Sequence, residues 1–82
     1  MSCEHPGDIL RAVLTERGMS AYRLSMETGI SQQRIGRILN RLHGISADTS
    51  IRLGVALGVN PGYWLSVQSA WDIQQAMGGR RA

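Results

Sequence analysis

At 82 residues with a single cysteine, the chain is one small domain's worth of sequence and has no partner for an internal disulfide. Apolar residues make up 43 %, there is no Phe, and no alternating Val/Ile/Thr run argues for strands, whereas helix-period patterns recur. The net charge is +3 and all nine basic residues are arginines, the side chain suited to phosphate and guanine; no apolar leader or membrane-length run is present, so the expectation is an all-α, cytoplasmic chain without a membrane segment.

Met1 to His5 read as a frayed end. Cys3 and His5 flank Glu4, but a metal site would lack its remaining ligands, since His43 is the only other histidine; no metal or cofactor is expected. Pro6-Gly7-Asp8 opens the first helix, expected over residues 7–17, with Asp8 at the positive end of the dipole and Gly18 as a left-handed cap. Ile9, Ala12 and Val13 mark its inner face, widened by Leu10 and Leu14.

Ser20 N-caps a second helix that stops at Gly29. Ile30 then plugs a tight turn, and Ser31 caps a third helix. Ser25, four residues before Gly29, leaves room for the two helices to cross closely, and glycine permits the sharp turn. In the third helix Ile35, Ile38, Leu39 and Leu42 fall on one face, and Arg34, Arg37 and Arg41 on another beside Gln33, with Gln32 at its start. This stretch, residues 20–41, has the pattern of a helix-turn-helix. The plainer reading, an amphipathic helix with a solvated arginine face, explains neither the turn chemistry nor the glutamine pair. Gly36 lies mid-helix at a cost of about 1 kcal/mol against alanine.

After a short loop in which His43 is expected to be exposed, Ser46 caps a fourth helix with Asp48 in its first turn. Ser50, Leu53, Gly54 and Leu57 form its buried set and Gly58 ends it. Ile51 and Val55 lie off that face. Asn60-Pro61 reads as N-cap and first position of a fifth helix, expected over residues 61–77. Its apolar residues cover more than one face. Val55, Tyr63, Val67, Ala70 and Trp71 are therefore candidates for a dimer contact. A small-molecule pocket lined by the aromatics is the other option. Residues 78–82 read as a flexible basic tail. No catalytic constellation, phosphate-binding glycine loop or H-E-x-x-H is present, so no enzyme is expected.

The whole pattern, a single domain over residues 6–77 with flexible ends at 1–5 and 78–82, resembles the five-helix phage-repressor (Xre-type) helix-turn-helix fold. Three segments narrow the likeness: His5-Pro6-Gly7-Asp8-Ile9-Leu10-Arg11, Gly44-Ile45-Ser46-Ala47-Asp48-Thr49 and Asn60-Pro61-Gly62-Tyr63-Trp64-Leu65 are similar to the HigA antitoxin family. That resemblance implies a homodimeric antitoxin that silences a small HigB-type toxin, usually an mRNA-cleaving enzyme, and represses its own operon from an inverted-repeat operator. Gln32, Gln33 and Arg37 match base-contacting positions of phage-repressor relatives, and their chemistry suits adenine and guanine edges. Ser20, Tyr22, Arg23, Ser31, Arg34 and Arg41 are expected on phosphates.

The chain also departs from the family. Ser25 and Gly54 replace the usual Ala. Asn40 is followed by Arg41 where the family often has Asn-Gly. The charge is basic where many antitoxins are acidic. A stand-alone repressor without a toxin, and a helical adaptor that binds only protein, are the competing readings. The first turns on the neighbouring gene, the second on salt-dependent DNA binding.

Overall fold

The computed structural model describes residues 4–79. Five helices follow one another: α1 (Pro6–Arg17), α2 (Ala21–Thr28), α3 (Gln32–Leu39), α4 (Ala47–Leu57) and α5 (Tyr63–Gly79), with no strand among the described residues. The all-α expectation is met.

Side chains set the helix ends as read from the sequence. Ser20 Oγ accepts the Arg23 N–H (3.1 Å), Ser31 Oγ the Arg34 N–H (3.1 Å) and Ser46 Oγ the Thr49 N–H (3.2 Å). Gly18, Gly29 and Gly58 close α1, α2 and α4 in the left-handed region, at φ 63°, 77° and 73°. At eight residues each, α2 and α3 are too short to persist by propensity, so packing must hold them. That packing is one core to which all five helices and two loops contribute: Leu10, Leu14, Leu24, Ile30, Ile35, Ile38, Ile45, Leu53, Leu57 and Trp64.

Several expectations need correction. The buried line of α1 is Pro6, Gly7, Leu10 and Leu14; Ile9 and Val13 flank it and Ala12 is exposed. α1 packs against α3 and α5. α3 ends at Leu39, and Leu42 is 74 % exposed instead of joining the core, because its N–H turns back to the Arg37 carbonyl (2.8 Å). α5 begins at Tyr63, not Pro61: Asn60 Oδ1 accepts the Gly62 N–H (2.8 Å), making a turn before the helix proper. Gly78 and Gly79 continue α5 instead of starting a tail. Of the ends expected to be flexible (residues 1–5 and 78–82), residues 1–3, with Cys3, and residues 80–82 lie outside the described residues.

His5 is the largest departure. Expected to fray, it is 5 % exposed and N-caps α1, its Nδ1 accepting the Gly7 N–H (2.9 Å). Its ring meets Trp71 of α5 edge-on, with centroids 5.2 Å apart. Burial holds its pKa below the usual 6.5; Arg41 adds to that, and Asp8 and Asp72 oppose it. The unfolded chain therefore takes up the proton first. The His5 contribution is present above pH 6.5 and is lost as pH falls below that value, when protonation of Nδ1 also removes the cap. Asp8, held below its usual 3.8 by the Arg41 hydrogen bond, acts in a separate, more acidic window. The melting temperature of the parent chain should fall between pH 7 and pH 5, and that slope should flatten in His5→Asn, which keeps a capping acceptor without the titration. Equal slopes in the two proteins sink the assignment.

Gly36 presents the opposite case. A Cβ there would meet nothing within 4 Å. Among the described residues nothing gives a packing reason for glycine here, so Gly36→Ala should raise unfolding stability by up to about 1 kcal/mol in a urea titration. A loss would show that the α3 backbone is not the regular helix described.

Candidate nucleic-acid interface

α3 buries Ile35 and Ile38 completely and so must turn its other side outward. Gln33 and Arg37, four residues apart, stand one above the other on that side and are both exposed. With Arg34 and His43 they line a shallow open cleft of about 340 Å³. Gln32 is exposed at the first position of the helix, outside that cleft. Arg34 is half-buried; its Nε is enclosed with no acceptor among the described residues. It lies between this cleft and a second depression of about 290 Å³, bordered by Ser31, Asp48 and Arg52.

The other expected contacts fall in three places. Ser20 and Ser31 use their oxygens as helix caps, and each hydroxyl keeps a hydrogen to donate. Tyr22 is 59 % exposed and Arg23 pairs with Glu27 one turn on (3.0 Å), so both remain at the surface of α2. Arg41 is different. It lies beyond the end of α3, and its guanidinium is turned to Asp8 of α1 and over the Trp71 ring (5.4 Å to the centroid), away from the Gln33–Arg37 line.

Two residues at this site escaped the sequence reading. His43 is half-buried and joins the cleft because the turn after Leu39 folds back along α3. A glycine or asparagine after a helix signals such a turn, and Asn40 alone was an incomplete signal. Arg52 donates to the Thr28 carbonyl (3.0 Å) and pairs with Asp48 (2.9 Å), joining the last turn of α2 to the first turn of α4. It braces the turn between α2 and α3, where a Cβ on Gly29 would come within 2.9 Å of it.

Two capped helices joined at a left-handed glycine, the second with a polar outward face, are what a known family is built around: a model described as Helix-turn-helix matches residues 10–64. The chain belongs to the helix-turn-helix family. Among curated relatives, it is 39 % identical over 77 residues to virulence-associated protein I of Dichelobacter nodosus, covering 93 % of this chain and 71 % of that one. Among solved structures, it is 38 % identical to an addiction module antidote protein of the HigA family from Coxiella burnetii, with TM-score 0.87 over 96 % of this chain and 87 % of that one. It is 32 % identical to the Pseudomonas aeruginosa antitoxin HigA solved with the higBA promoter, with TM-score 0.89 over 95 % and 86 %. The resemblance to HigA-type antitoxins is therefore supported across nearly the whole chain.

In this helix-turn-helix chain the residues expected at a dimer contact are distributed unevenly. Val55 is 73 % and Tyr63 41 % exposed, Ala70 is exposed, and Val67 is half-buried. Trp71 is half-buried and already engaged by His5 and Arg41. Ile51, Ile73 and Met77 add exposed apolar surface. No helix among the described residues is long and apolar enough to cross a membrane, and no group of three or more metal-binding side chains occurs among them.

Proposed function

We propose that the chain is a homodimeric antitoxin that represses its own operon and neutralises a small mRNA-cleaving toxin of the HigB type. The observation that carries this reading is the exposed Gln33–Arg37 line on a capped α3, in a chain whose relative from Pseudomonas aeruginosa was solved on its promoter. α3 enters the major groove, where Gln32 and Gln33 suit adenine N6/N7 and Arg37 suits guanine O6/N7. Arg34, Ser31, Ser20, Tyr22 and Arg23 reach phosphates, which fix register without reading sequence. Two copies, joined through the apolar surface of α4 and α5 around Val55 and Tyr63, set two α3 helices about 34 Å apart on an inverted repeat.

The toxin role rests on the resemblance to HigA antitoxins. Co-expression with the neighbouring reading frame tests it. The expected result is a small protein that arrests growth alone, is rescued by this chain, and co-purifies with it. A harmless neighbour with no co-purification leaves a stand-alone repressor. Titration of the chain's own promoter at two salt concentrations tests the DNA half separately, because phosphate contacts make affinity fall steeply with salt.

A further inference from the structure

We propose that Arg41 is a positioning residue for operator reading: it pins the exit of α3 to α1 and α5 through Asp8 and Trp71 instead of touching phosphate. The inference rests on the DNA-binding reading above and goes beyond it, because it takes one cation out of the expected footprint and gives it another task.

The backbone makes the first argument. Arg41 is the one non-glycine residue at positive φ among the described residues, at 62°. That conformation is unfavourable for a side chain with a Cβ, and a glycine at this position would remove the penalty. An arginine held there needs compensating contacts from its side chain. Three are present. The Arg41 guanidinium donates from Nε to Asp8 Oδ1 (3.2 Å) and from its terminal nitrogen to Asp8 Oδ2, a two-point pairing. Its charge lies 5.4 Å from the Trp71 ring centre, within cation–π range. The same Trp71 ring is met edge-on by His5.

The location makes the second argument. The Arg41 N–H donates to the Ile38 carbonyl (3.1 Å), so the residue is bonded to the last turn of α3. On the far side, Gly7 packs so closely on that same carbonyl that a Cβ would not fit. Asp8 and Gly7 belong to the first turn of α1, and Trp71 belongs to α5. One side chain thus joins three helices at the point where α3 ends. The angle of α3, and with it the placement of Gln33 and Arg37 in a groove, depends on that joint.

The sign of one substitution separates the two roles. If Arg41 binds phosphate, Asp8→Asn removes a competing carboxylate and strengthens operator binding. If Arg41 positions α3, Asp8→Asn breaks the joint and weakens binding. Arg41→Gly is the second variant, because glycine accepts the left-handed backbone and the change removes only the side chain.

At about 0.15 M salt, where long-range charge effects are screened, both variants should weaken operator binding about two- to five-fold, the scale an exposed charge pair can carry. The slope of log affinity against log salt should stay at the parent value in Arg41→Gly, whereas a lost phosphate contact would lower it by about 0.9. Circular dichroism and thermal melting of the same proteins check that they fold. In the melts, Asp8→Asn and Arg41→Gly should be non-additive in the double variant. Tighter binding by Asp8→Asn, a lowered salt slope in Arg41→Gly, or additive melting shifts each overturn the proposal. A parent protein that binds no promoter DNA instead removes the function proposed above, and the melting cycle still decides whether the joint exists.

Discussion

Replacing Gly7 with alanine is expected to destabilise the folded chain by about 2–3 kcal/mol, seen as a lower urea midpoint with an unchanged slope. The first turn of α1 crosses the end of α3 so closely that an added Cβ falls inside contact distance of the Ile38 carbonyl oxygen and 3.0 Å from the Ile38 carbonyl carbon. It would also lie 3.0 Å from His5 Nδ1, the atom that caps the helix. A side chain in the way could rotate aside. A backbone carbonyl inside a helix cannot, and this one also accepts the Arg41 N–H. α1 would have to lift from α3, opening the contact between two elements whose Leu10 and Ile38 are fully buried. The gain in helix propensity from Gly to Ala, about 1 kcal/mol, opposes the loss without cancelling it. An unchanged midpoint in Gly7→Ala would show that α1 and α3 are farther apart than described.

This Gly7 contact marks the boundary of what the sequence discloses. The helix ends were legible because each is local chemistry: Ser20, Ser31 and Ser46 cap the N–H of a residue three positions on, and Gly18, Gly29 and Gly58 supply left-handed backbone. The core of α3 was legible because Ile35 and Ile38 repeat at helical spacing. The face of α4 was legible for the same reason, since Ser50, Leu53, Gly54 and Leu57 are all buried. What was missed depends on residues distant in the chain. His5 looks like a terminal residue until Trp71 packs on it. Arg41 continues the arginine spacing of α3, and only Asp8 and Trp71 turn it away from that line. Gln68 gave no signal, yet it is buried, accepts the Ile45 N–H (2.8 Å) and donates to Asp72 (2.9 Å), which fixes the loop that carries His43. Gly54 read as one of the buried set of α4, without a reason for glycine; a Cβ there would come within 2.7 Å of Pro61 Cα, so the glycine lets the turn before α5 close on α4.

Replacing Arg37 with alanine should cost about 1–3 kcal/mol in operator binding and relax selectivity at one base pair, while leaving folding stability within about 0.5 kcal/mol of the parent. The stability half follows from the site: Arg37 is exposed on α3 and forms no ion pair among the described residues, so truncation leaves no buried group unsatisfied. The selectivity half follows from position. Arg37 stands one turn beyond Gln33 on the outward line, where a guanidinium is free to make two parallel hydrogen bonds to guanine O6 and N7. Arg34→Ala is the control. Arg34 sits at the flank, half-buried between two depressions, and its loss should weaken all sequences alike and lower the salt slope by about 0.9. The measurement is a gel-shift series over operators with single base-pair changes, run with both variants at two salt concentrations. A base reader loses discrimination at one position; a phosphate contact loses affinity evenly. If Arg37→Ala keeps the parent's preference at every position, α3 does not read bases through Arg37, and the outward line of α3 serves only to hold the DNA backbone.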